Sequence, residues 1–218
     1  MKTIPILATA LLLPAAAFLI YFAAPTDAIL GESSRLLYLH VPLALVSVSA
    51  FLVAGIYSIL YLHDRSNIYA VKFHTSARIG FLFTIITTAT GSVWAKLAWG
   101  LWWNWDPRET SIIFLLLVYV AYFALRTSLA DRSSERLCAA YLIFAAAVMP
   151  FFIFAFPRFY PSLHPQTIIN SDHEIHLGFE MRAVLFFCMA AFCALFSALF
   201  TIENRIALRE KERGKHYG

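Results

Sequence analysis

Six apolar stretches follow one another along this chain, separated by short clusters of charged and turn-forming residues. They read as Ile4–Ala24, Leu36–Leu62, Ala77–Val93, Ser111–Leu125, Leu137–Phe156 and Ala183–Ile202. A helix needs roughly 17–25 apolar residues to cross a bilayer; four of these runs fall in that range and the second exceeds it. The fourth is short and is expected to begin in the interface. No fixed-period repeat, low-complexity tract or Pro/Gly/Ser linker divides the chain, so residues 1–218 are expected to form a single six-helix membrane domain. The first stretch imitates a signal peptide, because Lys2 precedes an apolar run containing "PAAAF". Its apolar length exceeds the roughly 7–15 residues of a signal core, which predicts a retained span.

Composition strengthens the membrane reading. Hydrophobic residues make up 61% of the chain and charged residues 14%, and the mean hydropathy is +0.71. A soluble domain is usually about 45–50% apolar and about 25% charged. The principal solvent is therefore membrane lipid. A net charge of +4 could suggest nucleic acid, but the basic residues sit in short clusters between apolar runs. That pattern encodes orientation in a membrane and argues against nucleic-acid binding. Cys138, Cys188 and Cys193 fall inside apolar runs without a CxxC, which makes them small hydrophobes and implies no disulfide framework.

The basic residues also give a sidedness. One set of ends carries Lys2, Arg65, Lys72, Arg78, Arg126, Arg132, Arg136, Arg205, Arg209, Lys211, Arg213 and Lys215. The other carries only Arg35, Lys96, Arg108, Arg158 and Arg182. Basic residues in short loops stay inside, so both termini are expected in the cytoplasm. Three polar segments then share the outer face: "GESSRLLYLHVP", the stretch 94–110, and residues 156–182.

All five Trp of the chain lie in "WAKLAWGLWWNWDPRET": Trp94, Trp99, Trp102, Trp103 and Trp105. An interfacial aromatic belt would spread Trp over several helix ends and both leaflets. Concentration in one outer, tryptophan-rich loop points instead to a flat, apolar, conjugated ligand, which indole faces and edges suit. The stretch closes with Asp106-Pro107-Arg108-Glu109, the pattern of a helix start with Asp at the N-cap, Pro at N1 and Glu at N3. Capping and a functional role for Asp106 are compatible.

Seven His occur. His63, His74 and His216 fall among basic residues on the inner side, where solvated roles are expected. His40 lies in "LYLHVP", just ahead of the second span at the membrane surface, with Pro42 in the first turn. His164 precedes Pro165, which disfavours helix at His164 and predicts an extended loop. Neutral imidazole is a common axial ligand of haem iron, and two such groups from separate segments could grip one iron from opposite sides. His173 and His176 form an H-x-x-H with Glu174 between them, which raises a zinc or iron enzyme as an alternative. That pair lacks a third ligand at fixed spacing, and a solvated polar loop explains it as well.

At "GSVWAKLAWGLWWNWDPRETS", "LYLHVP" and "SLHP", in that order, the chain resembles the WWD-domain proteins of cytochrome c assembly, most closely the CcmC type, haem exporter protein C. The likeness covers the six-span layout and nearly the whole chain. It implies an all-α integral membrane protein whose tryptophan-rich loop forms an outer platform for haem b, with His40 and His164 as axial ligands. It further implies presentation of haem to a periplasmic haem chaperone, within a cytochrome c maturation complex that contains ABC-transporter-type subunits of the bacterial inner membrane. Trp94, Trp99, Trp102, Trp103, Trp105, Asp106 and Arg108 become the expected cofactor-binding set. Arg35, Lys96, Arg108, Arg158 or Arg182 could pair with the propionates. A surface site with exchangeable ligation suits a protein that must release its ligand.

"WDPRET" also resembles the larger cytochrome c synthases of the CcsA type. A synthase would need its own apocytochrome site, and no outer loop here is long enough. Phe159 and Tyr160 precede the second candidate ligand where the family pattern leads one to expect Trp. The expected role is haem binding and transfer, not catalysis.

Overall fold

The computed structural model describes residues 3–27, 31–128, 132–164 and 177–216. Among them, six helices are long and apolar enough to cross a membrane. These are α1 (Ile4–Phe18), α2 (Leu37–Asp64), α3 (Asn67–Trp99), α4 (Pro107–Ser128), α5 (Arg132–Pro150) and α6 (Phe179–His216). Widened π turns extend α1 over Leu19–Ala23 and α5 over Phe151–Ala155. A 3₁₀ turn, Glu32–Leu36, leads into α2. No strand occurs among the described residues.

Helix α2 is the hub: it packs on α3, α5 and α6, while α1 packs on α6 and α4 on α5 and α3. Close packing at the hub depends on small residues. A Cβ on Gly55 would fall 2.7 Å from the Ala146 side chain, so only glycine lets α2 approach α5 this closely. In the core beside it, Phe51 stacks on Tyr119 with ring centroids 3.7 Å apart.

The third span is longer at both ends than the hydropathy pattern suggested. Its polar first turns stay helical because their side chains find partners. Ser66 caps the helix by accepting from Ile68 N–H. Lys72 lies over the rings of Tyr57 and Tyr69, and Arg78 pairs with Glu203 of α6. His74 is not solvated as expected. It is buried, with Nδ1 against the Tyr122 hydroxyl and Nε2 2.7 Å from Glu135, a polar clamp that joins α3, α4 and α5. The fourth span starts at Pro107, ahead of the expected Ser111, because Asp106 caps it there.

At the other end of α3 the helix runs through Trp94 and Trp99 and stops at Gly100. Gly100 takes φ +83°, a left-handed conformation that glycine adopts without steric cost, and its N–H closes on the Lys96 carbonyl at 3.1 Å. Trp94 and Trp99 are thus helical, and only Trp102, Trp103 and Trp105 belong to the connection before α4.

Candidate functional site

A cavity of about 510 Å³ opens at the tryptophan end of the bundle. Its lining along α2 runs from Leu37 to Val48. At 1.5 Å of rise per residue this is about 16 Å of helix, so the cavity reaches into the spans and is no flat surface platform. Val41, Ala44, Leu45, Ile112, Ile153 and Leu163 give it apolar walls. The polar groups on it include both singled-out histidines, His40 and His164, with Arg108 and Arg158.

His40 is already inside α2, with Pro42 also within the helix, and does not precede it. Its ring lies against α3: Nδ1 is 3.1 Å from Thr90 Oγ1. Gly91 makes that contact possible, since a Cβ there would sit 2.8 Å from His40 Cε1. An isolated glycine within an apolar helical run was the available sign of such a close approach.

His164 reaches the cavity from the loop after α5. Trp94 and Trp99 meet it with ring centroids 5.9 and 5.2 Å away, and Trp94 and Trp99 form their own edge-to-face pair at 4.9 Å. Its Nδ1 lies 3.3 Å from Asp106 Oδ1, although the ring N–H is not aligned for a hydrogen bond and Nδ1 has no other partner among the described residues. Burial pushes His164 below its ordinary pKa of 6.5, and the repulsion from Arg108 adds to this, against the opposing pull of Asp106. The imidazole is therefore held neutral, the form that binds iron.

Asp106 joins the two segments of the site. Oδ1 accepts the Arg108 N–H at 2.9 Å, and Glu109 Oε2 accepts the N–H groups of Asn104 at 2.8 Å and Asp106 at 3.3 Å. This is the capping box expected from the sequence. The same carboxylate also accepts from Ser162 Oγ at 3.0 and 3.1 Å and from Leu163 N–H at 2.7 Å. Burial alone would raise its pKa, but the hydrogen bonds from Arg108, Leu163 and Ser162 outweigh burial and hold it below 3.8. Ser162, which also accepts the His164 N–H at 3.2 Å, was missed in the sequence although "SLHP" carries the serine-turn pattern.

The Trp set divides. Trp94 and Trp99 line the cavity, whereas Trp102 and Trp105 are 57% and 71% exposed and do not. Trp105 takes φ +57°, a left-handed conformation that costs a bulky residue roughly 1–3 kcal/mol. Thr110 Oγ1 donates to its carbonyl at 3.2 Å, and the side chain meets Trp103 edge-to-face at 6.1 Å.

The cations divide too. Arg35 is taken up by Glu32 and by the carbonyls of Ile20 and Tyr21, and Lys96 donates to the Gly100 carbonyl. Arg182 does not line the cavity. Arg158 does, while also donating to the Phe154 carbonyl, and Arg108 keeps a buried Nε without a partner among the described residues. His173 and His176 lie outside the described residues.

A neutral nitrogen base on each of two elements, apolar walls, two indoles and two guanidiniums together fit a flat, largely apolar metal complex with acidic side groups. Comparison with known proteins agrees with that chemistry. The family model for heme exporter protein C (CcmC) matches residues 1–217. The heme exporter protein C of Paracoccus denitrificans is 29% identical over 191 residues, 87% of this chain and 79% of the relative. Its Escherichia coli K12 counterpart is 31% identical over 192 residues, 87% of this chain and 77% of the relative. A putative cytochrome c biosynthesis ccmC-like mitochondrial protein of Marchantia polymorpha is 31% identical over 191 residues, 87% and 80% of the two chains. The chain belongs to the heme exporter protein C family.

Proposed function

We propose that this protein handles haem in cytochrome c biogenesis by taking haem b into the cavity between His40 and His164 and passing it to a periplasmic haem chaperone. The observation that carries this reading is the pair of histidines, on α2 and on the loop after α5, lining one cavity with Trp94 and Trp99. Nδ1 of His40 faces Thr90 and Nδ1 of His164 lies beside the Asp106 carboxylate, which leaves Nε2 of each ring for iron. Arg108 and Arg158 are the cations for the propionates, and Trp94 and Trp99 cover the apolar edge.

The exposed Trp102 and Trp105 belong to the hand-over surface, not to the cavity wall. The role is binding and transfer without catalytic turnover of its own. The bias of basic residues supports cytoplasmic termini and a periplasmic site in the bacterial inner membrane. Work within a maturation complex with ABC-transporter-type subunits completes the reading. It is tested by measuring haem covalently attached to the chaperone in membranes carrying His40→Ala, His164→Ala or both. Transfer falls in each single variant and disappears in the double variant. Normal transfer in the double variant at normal abundance refutes the site.

A further inference from the structure

We propose that Thr90 and Asp106 are positioning residues that fix the tautomers of His40 and His164, and that their inequality makes His164 the retained ligand and His40 the one exchanged at hand-over. The proposal rests on the functional reading above and deepens it.

Thr90 Oγ1 lies 3.0 Å from the carbonyl oxygens of both Ile86 and Thr87. Carbonyls only accept, so two backbone acceptors within 3.0 Å favour the single hydroxyl hydrogen of Thr90 on its own helix. What remains toward His40 Nδ1, 3.1 Å away, is a lone pair. Nδ1 therefore carries the hydrogen and donates it to Thr90, and Nε2 keeps the free electron pair. Gly91 holds the ring in that register, because any side chain there would overlap it.

His164 reaches the same tautomer by a different acceptor. A carboxylate without its proton only accepts, and although the ring N–H is not aligned for a hydrogen bond, the negative charge of Asp106 Oδ1, 3.3 Å from Nδ1, favours the hydrogen on that nitrogen. The lone pair of this ring is again on Nε2. The acceptors differ in charge, however. A carboxylate behind a histidine ligand raises its basicity and fixes its orientation, and a neutral hydroxyl does so much less. His164 is also enclosed by Trp94 and Trp99, whereas the ring of His40 meets only uncharged groups of α3: Thr90, Gly91 and the Thr87 backbone carbonyl.

Hand-over needs one coordination position to open. The exchange breaks one dative nitrogen–iron bond and forms another from an incoming neutral nitrogen base, with no net transfer of electrons or protons. The weaker donor, His40, is the one replaced.

The test uses the full-length protein purified in detergent without haem, with ¹⁵N-labelled histidine. Imidazole ¹⁵N shifts should show both His40 and His164 hydrogenated at Nδ1. Thr90→Val should move His40 toward the Nε2–H form, and Thr90→Ser should restore the native pattern. An Nε2–H His40 in the native protein, or no change in Thr90→Val, overturns the tautomer assignment. The inequality is read on haem-loaded protein. His40→Ala should retain severalfold more haem than His164→Ala, and added imidazole should restore a six-coordinate spectrum. Equal retention, or the reverse order, overturns it. Absence of any porphyrin absorbance in the native protein refutes the functional reading, and the ¹⁵N shifts decide the tautomers separately.

Discussion

Asp106 Oδ2 accepts the backbone N–H of Leu163 at 2.7 Å, one residue before His164, while Oδ1 accepts the N–H of Arg108 at 2.9 Å. One buried carboxylate thus fixes the start of α4 and the loop that carries a candidate ligand. An amide has one accepting end, so Asp106→Asn must turn an NH₂ toward either Arg108 N–H or Leu163 N–H. A buried donor left without an acceptor costs about 1–3 kcal/mol, although Asn caps helices about as well as Asp. Asp106→Asn is therefore expected to lower thermal stability by an amount in that range and to reduce haem content. A stability and haem content equal to native would reduce Asp106 to a simple cap.

Gly91→Ala tests the cavity wall from the side of α3. The added Cβ would lie 2.8 Å from His40 Cε1, inside contact distance, and both partners sit on packed helices. His40 must then leave its register on Thr90. The expected outcome is protein at normal membrane abundance with a diminished or altered Soret band. Native absorbance would mean that the ring has room to move without consequence.

Much of this architecture is legible in the sequence. The six spans follow from apolar length, and the α4 cap follows from Asp106-Pro107-Arg108-Glu109, because both depend on local chemistry. The extension of α3 through His74 at one end and Trp99 at the other was not legible. The end through His74 depends on Tyr122, Glu135 and Glu203, which are distant in sequence and neutralise polar side chains that look solvated when read alone. The removal of Arg35 from the candidate cations has the same cause, since its partners are carbonyls at the end of α1. The division of the Trp set required knowing where the helix stops. Gly100 sets that point, placing Trp94 and Trp99 over the cavity and Trp102 and Trp105 outside it.

That division predicts two phenotypes. Trp94→Ala and Trp99→Ala remove cavity walls and the rings against His164, and each indole buries about 150–250 Å². They should lower haem content in the purified protein. Trp102→Ala and Trp105→Ala should leave haem content near native but reduce covalent haem on the chaperone. Measuring both quantities in the same membranes separates binding from transfer. Equal loss of bound haem in all four variants would contradict the division.

Acidification supplies a further test through His164. Its folded-state pKa is lowered from 6.5 by burial, so the folded protein binds this proton less readily than the unfolded chain does. The associated stability is fully present above pH 6.5 and is lost as pH falls below it. Asp106, held below 3.8, keeps its grip on the loop until far lower pH. A ¹⁵N titration of haem-free protein should find His164 mostly neutral at pH 6.5, with its midpoint lower. A midpoint at or above 6.5 would show that the Asp106 charge outweighs burial.

The absorption spectrum of protein purified in mild detergent, native against the His40→Ala/His164→Ala double variant, tests the central claim most directly. The native protein should show a Soret band with the visible bands of bis-histidine haem, and the double variant at equal protein concentration should show neither. A double variant with the native spectrum, or a native protein that takes up no haem under the same conditions, would contradict a haem site built on these two histidines.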